Sequence, residues 1–158
     1  MLFRSLAGFC FRLLLDSTAA EDVVQSVFVK ALESIHTLRN PESFYSWLFT
    51  LARNEVYGTL RAKRSNGTVE LSEEVWDEET PFDSAVRGET VEIVRECLDH
   101  LKVEYREVLI LRQFEGLSYN QIAEITGNTT SSVESRLFKA RKALIRQLKP
   151  YLETRNAS

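Results

Sequence analysis

From Ser135 to Pro150 the chain carries six basic residues, Arg136, Lys139, Arg141, Lys142, Arg146 and Lys149, and no acid, although its formal net charge is −3. Cations at that density on one helix suit phosphate oxygens. Ser135 and Phe138, three apart, share a helix face among them. A hydroxyl can bond a base edge and a phenyl ring can meet a thymine methyl. Lys139 and Lys142, displaced around the helix, suit the flanking phosphates. A second concentration lies upstream, where Phe44, Tyr45, Trp47, Phe49 and Tyr57 recur at helical spacing around Asn54, followed by Arg61, Lys63 and Arg64. Most of these rings are expected in the core. An aromatic face can nevertheless stack on an unpaired base, and an amide can bond a Watson–Crick edge. Covalent chemistry has no comparable set. Cys10 and Cys97 form no motif, and His36 and His100 stand apart as surface or helix-end residues. No metal or cofactor site, nucleophile–base pair or phosphate loop is expected, so an α-helical enzyme has no support. The isolated thiols fit a reduced, cytoplasmic chain.

Positioning a basic helix against DNA needs a scaffold, and the residues before it have helix-turn-helix spacing. Ser118 can cap a helix, with Gln121 completing a capping box. Ala123 is small enough for two helices to meet. Gly127, four residues on, suits a turn with positive φ, and Val133, six further, anchors the next helix. Ser131 and Glu134 have capping-box spacing too. That leaves two readings of Glu134: turned back to the helix start, or facing the groove, where a carboxylate accepts from a cytosine amino group or repels phosphate.

The rest of the chain reads as helical, with 6 glycines and 3 prolines in 158 residues and little strand-like alternation. Helices are expected over about Leu2–Leu15, then from a cap at Ser17 or Thr18 with Glu21 completing the box. That second helix should turn Val24, Val27, Phe28, Ala31, Leu32 and Ile35 inward. After a loop, Pro41 should open one long helix or two, and further helices are expected over about Ala85–Leu101 and Val103–Phe114. The opening residues read as a core-facing helix rather than a leader, because Arg12 interrupts the apolar run and Asp16 ends it. No stretch approaches the roughly 18 apolar residues of a membrane span. Between the halves, Ser65–Ser84 holds seven acids and no Lys or Arg. With its −7 set aside, a chain of net −3 is left at +4. Such a linker would be repelled by DNA and could occupy a basic channel built for nucleic acid.

Three stretches, "AEDVVQSVFVKAL", "SFYSWLFTLARNEVYGTLRAKR" and "REVLILRQFEGLSYNQIAEITGNTTSSVESRLFKARKAL", are together and in this order similar to motifs of bacterial extracytoplasmic-function (ECF) sigma factors. The resemblance covers nearly the whole chain. It implies an all-α fold of two small domains, 1–64 and 85–158, joined by the linker 65–84, which in the family threads the polymerase's RNA path. It implies a transcription initiation factor that binds core RNA polymerase and recognises −10 and −35 promoter elements, without catalysis of its own. Asp22 and Gln25 would contact polymerase, with Val24 and Phe28 beneath; Ser26 stands where the family often has an acid. At the −10 element the resemblance implies Leu38 and Arg39 of the loop Leu38–Ser43, Asn54, and Arg61, Lys63 and Arg64. At the −35 element it implies Arg112, Tyr119, Ser132, Glu134, Ser135, Arg136, Phe138, Lys139, Arg141 and Lys142. Glu134 departs from the Lys or Arg of most relatives. Gly58 replaces a frequent acid, and the first helix is short for the family. An anti-sigma factor is an expected further partner. The competing reading is a helix-turn-helix regulator that binds operators without polymerase; it would need neither the docking helix nor the aromatic segment around Asn54.

Overall fold

The computed structural model describes residues 2–65 and 89–157. Apart from Ser65, the expected acidic linker lies outside these residues, as does the expected helix start at Ala85. The described residues are all-α with no strand, in two helical groups. The first holds α1 (Leu2–Leu14), α2 (Ser17–Ser34) and α3 (Phe44–Ser65). The second holds α4 (Glu89–Asp99) and α5 (Val103–Leu109), a π-helical turn Ile110–Phe114 that prolongs α5, then α6 (Tyr119–Thr126) and α7 (Thr130–Asn156).

α1 buries Leu6, Phe9, Cys10 and Leu13, one stripe at helical spacing, and Phe9 meets Phe49 of α3 edge-on at 5.3 Å. The corner into α2 differs from the expected one. Leu15 takes φ 57, and extended Asp16, not Ser17 or Thr18, caps α2 by accepting from Ala19 N at 3.1 Å. Ser17 and Thr18 are already helical, one and two residues too late to cap the first free amides, so Glu21 completes no box. α2 turns Ala20, Val23, Val24, Val27 and Ala31 inward. Leu32 and Ile35, expected with them, are 78% and 49% exposed. Leu32 lies about 100° around the helix from Ala31, and Ile35 has already entered the 3-10 turn Ile35–Thr37.

Pro41 opens a second 3-10 turn, Pro41–Ser43, capped by Asn40, whose side chain accepts from Glu42 N at 3.1 Å. The α-helix proper begins at Phe44 and runs unbroken for 22 residues, through Gly58. Ser26 Oγ and Lys30 Nζ both donate to Glu55 and tie α2 to α3. Helix α5 does not extend to Phe114 as a plain α-helix. Its continuation widens into the π turn, where Glu115 N bonds Ile110 O at 3.2 Å. One connected core runs through both groups, with α1 packed on α5 and α3 packed on α6.

Candidate nucleic-acid interface

The helix-turn-helix is built as its spacing requires. Ser118 Oγ accepts from Gln121 N at 3.2 Å, and Gln121 Oε1 accepts from Ser118 N at 2.9 Å. Gly127 takes φ 68, and Asn128 N reaches Ala123 O at 3.0 Å, closing the turn. Buried Ala123 and Val133 bring α6 and α7 together. Val133, Leu137 and Ala140 hold α7 down by one face. The opposite face presents Glu134, Ser135, Phe138, Lys139, Arg141 and Lys142 exposed, with Ser132 and Arg136 half-buried at its edge. Arg112 donates to Leu117 O at 2.8 Å and lies 4.9 Å from the Tyr119 ring centroid, so these two residues form one unit beside the start of α6.

Two expectations change here. The cap of α7 is Thr129, accepting from Ser132 N at 3.1 Å; Ser131 is already helical, and Glu134 is left exposed on the outward face rather than folded back. Lys142 is not displaced around the helix from Phe138, since its ammonium lies 5.7 Å from the Phe138 ring centroid, one turn along the same face.

A second feature lies between the 37–43 loop, α3 and α6. A cavity of about 350 Å³ is lined by Leu38, Arg39 and Asn40 of the loop, by Ser46, Trp47 and Thr50 of α3, and by Glu124 of α6. It is open to solvent, and Trp47, packed against the core as expected, also borders it. The sequence holds a signal for this, because the loop itself has no aromatic and Trp47 stands one turn into the helix that follows. Asn54 is exposed on α3 one turn beyond Thr50, outside the lining. Arg61 and Arg64 are exposed near the end of α3, while Lys63 pairs with Asp16 at the start of α2. Leu48 and Phe49 are core residues.

The α2 surface presents Asp22 and Gln25 exposed, over buried Val24 and half-buried Phe28, whose ring stacks on Phe3 at 5.7 Å. Ser26 faces α3, donating to Glu55 at 3.1 Å, so it is turned away from that outward face.

Charged groups also meet where the two helical groups join. Glu107 of α5 is 0% exposed and accepts from Arg53 and from Tyr57 Oη, the latter at 2.7 Å. Burial pushes its carboxyl above the ordinary range, against the opposing pull of Arg53 and the Tyr57 hydrogen bond. Tyr45 Oη donates to Glu115 at 3.0 Å; burial, then the neighbouring carboxylate, push its phenol up to about 12. Arg106 Nη2 donates to Leu13 O at 2.6 Å, placing a cation at the C-terminal end of α1. His36 and His100 are exposed, the latter with Nδ1 2.7 Å from Glu96 O. Cys10 and Cys97 are both buried and free. Among the described residues no His, Cys, Asp or Glu group could hold a metal, and no helix is long and apolar enough to cross a membrane.

The sequence matches two family profiles, "Sigma-70 region 2" over residues 2–66 and "Sigma-70, region 4" over residues 92–144. It is 34% identical to the RNA polymerase sigma-H factor of Pseudomonas aeruginosa, over 93% of this chain and 82% of that protein. It is 32% identical to the ECF RNA polymerase sigma-E factor of Haemophilus influenzae, over 83% of this chain and 75% of that one. The fold is similar to the sigma factor RpoE of Bartonella quintana, solved in complex with the anti-sigma factor NepR. The TM-score is 0.79 at 27% identity, covering 94% of this chain and 92% of that chain.

Proposed function

Since the chain belongs to the sigma-70 family, as a sigma factor of the ECF group, we propose that its two helical groups divide promoter recognition between them. It is a transcription initiation factor whose partners are core RNA polymerase and promoter DNA. The first domain, residues 1–64, docks on polymerase through Asp22 and Gln25, with Val24 and Phe28 shaping the surface beneath. It takes the −10 strand at the cavity beside Leu38, Arg39 and Trp47. Asn54 flanks that cavity, and Arg61 and Arg64 meet the backbone, joined by Lys63 once it leaves Asp16. The second domain, residues 85–158, sets the start of α7 into the major groove of the −35 element. There Ser132, Glu134, Ser135, Arg136 and Phe138 face base edges, while Arg112, Tyr119, Lys139, Arg141 and Lys142 face phosphates. Residues 65–84 span the two. The factor adds no catalysis, works in the cytoplasm and is held in check by an anti-sigma factor.

The observation that carries this reading is the pairing, in one chain, of a capped helix-turn-helix with a long helix of another group, α3, whose start and preceding loop border a depression beside Trp47. An operator-binding regulator needs only the first. The test is run-off transcription with core polymerase on a promoter library. The full chain should select a subset of templates, and Asp22→Ala/Gln25→Ala should reduce co-elution with core. Transcripts no different from those of core alone would refute the assignment.

A further inference from the structure

From Thr130 to Lys149, α7 carries six cations and a single acid, Glu134. An exposed carboxylate on a helix ordinarily has one of three local uses, and Glu134 has none of them. It is not a cap, because Thr129 accepts from Ser132 N at 3.1 Å. It does not complement the helix dipole, because that effect fades within the first turn and the first turn of α7 holds no acid. It is not half of an intrahelical ion pair, because the residues three and four positions away are Thr130, Ser131, Leu137 and Phe138. Its carboxylate has no ion-pair partner elsewhere among the described residues.

The position is nevertheless rigidly held. Val133 and Leu137, on either side of it in the chain, are 1% and 0% exposed, and they fix α7 with Glu134 outward. Phe138, one turn on, and Ser135, beside it, share that exposed face, and no exposed cation precedes Lys139 on it. A carboxylate, a hydroxyl and a phenyl ring are poor company for phosphates, and each has a known use at a base edge. An ionised carboxylate only accepts hydrogen bonds. In the major groove the donors are the amino groups of adenine and cytosine. Adenine sets its N7 acceptor beside the amino group, where it repels a carboxylate. Cytosine sets a C5–H there, so cytosine is the base that a lone carboxylate selects.

We propose that Glu134 is a specificity residue, which accepts a hydrogen bond from the amino group of a cytosine and so fixes a C·G pair at one position of the −35 element. The inference rests on the promoter reading above and names one base of it. The same charge works against other sequences. Over thymine or guanine the carboxylate meets acceptor oxygens or N7, and it loses water without gaining a donor. A residue that weakens the general attraction of α7 for DNA therefore supplies discrimination, by rejecting the wrong base as well as by binding the right one.

The test uses the full chain bound to core polymerase, selecting from a library of random-sequence duplexes whose bound pool is sequenced. The parent is compared with Glu134→Ala, Glu134→Gln and Glu134→Arg; the residue is exposed, so its replacement leaves the core intact. The parent should hold cytosine at one position that Glu134→Ala leaves unread. Glu134→Gln should move that position to adenine, whose N6 and N7 suit an amide, and Glu134→Arg should move it to guanine. The other selected positions should stay as they are. In a direct titration, changing that C·G pair to T·A should weaken the parent about tenfold and Glu134→Ala hardly at all. A selected sequence that is the same for the parent and all three variants overturns the assignment, and a gain in affinity spread evenly over the library would then mark Glu134 as a repeller of phosphate only. A position that depends on Glu134 but is not C·G overturns it too. A parent that selects no sequence at all overturns the promoter reading beneath it, and that outcome is visible before any variant is made.

Discussion

Asp16 does two jobs with one carboxylate: it caps α2 through Ala19 N and pairs with Lys63 at the far end of α3. Burial alone would raise its pKa, but the hydrogen bonds from Lys63 and Ala19 more than offset this and hold it below the usual range. A depressed carboxylate contributes stability that is present above its ordinary pKa and lost as pH falls through the depressed value. Asp16→Ala should cost about 1 kcal/mol at neutral pH, the worth of an N-cap. Asp16→Asn should keep most of the cap and lose the acid-side dependence, so urea denaturation of both between neutral and acid pH separates the two jobs. On α7, Ser135 lies near the start of the helix and Arg146 eleven residues on, roughly 16 Å along the axis. Ser135→Ala should cost roughly 1–3 kcal/mol on a duplex selected by the parent and little on a scrambled one. Arg146→Ala should weaken both alike and lower the salt slope by about one. Matching losses for the two variants on both duplexes would leave α7 as a purely electrostatic grip.

At the scale of the element, two glycines with the same chemistry have opposite meanings. Gly58 is inside α3, and a Cβ there would meet only Arg61 Nη2, at 3.9 Å. Gly58→Ala should therefore stabilise the chain by up to about 1 kcal/mol, a rise of roughly 2–4 °C in melting temperature for a chain of this size. Gly127 takes φ 68 between α6 and α7, where a Cβ finds space but the backbone is strained. Gly127→Ala should cost about 1–2 kcal/mol, and a neutral result would mean the turn can re-form without left-handed backbone. The cap of α7 gives a third comparison. Thr129→Ala should lose about 1 kcal/mol and Ser131→Ala nearly nothing, the reverse of what a cap at Ser131 requires.

For the molecule as a whole, the seam between the helical groups can be watched through Tyr45. Its phenol is pushed up to about 12 by burial and then by Glu115. A raised phenol contributes to the packed state fully below its ordinary value near 10, and loses that contribution as pH rises through the raised one. Glu115→Ala removes the carboxylate and should bring Tyr45 down toward its ordinary range. Tyrosinate absorbance, with Tyr45→Phe identifying the step, follows this; a Tyr45 that titrates near 10 in the parent would mean that the seam is open in solution.

The helical class, the helix-turn-helix and the exposed residues of α7 follow from local rules. Ser118, Gln121, Ala123, Gly127 and Val133 are tied by spacings of a few residues, and the forces that act on them are short-ranged and backbone-bound. Helix-cap identity is less readable, because Asp16 displaces Ser17, and Thr129 displaces Ser131, through a shift of one or two residues that depends on where the preceding chain turns. What no local pattern carries is the company each side chain keeps across the fold. Glu107 reads in sequence as one more acid on a helix; its burial against Arg53 and Tyr57 joins residues some fifty positions apart. Trp47 reads as core and packs against it, and it also borders an open depression beside the 37–43 loop and Glu124, which no local pattern shows. Periodicity reports which face of a helix is apolar, whereas the partner that covers that face is set by packing between distant segments, and there the buried Glu107 cluster and the depression beside Trp47 arise.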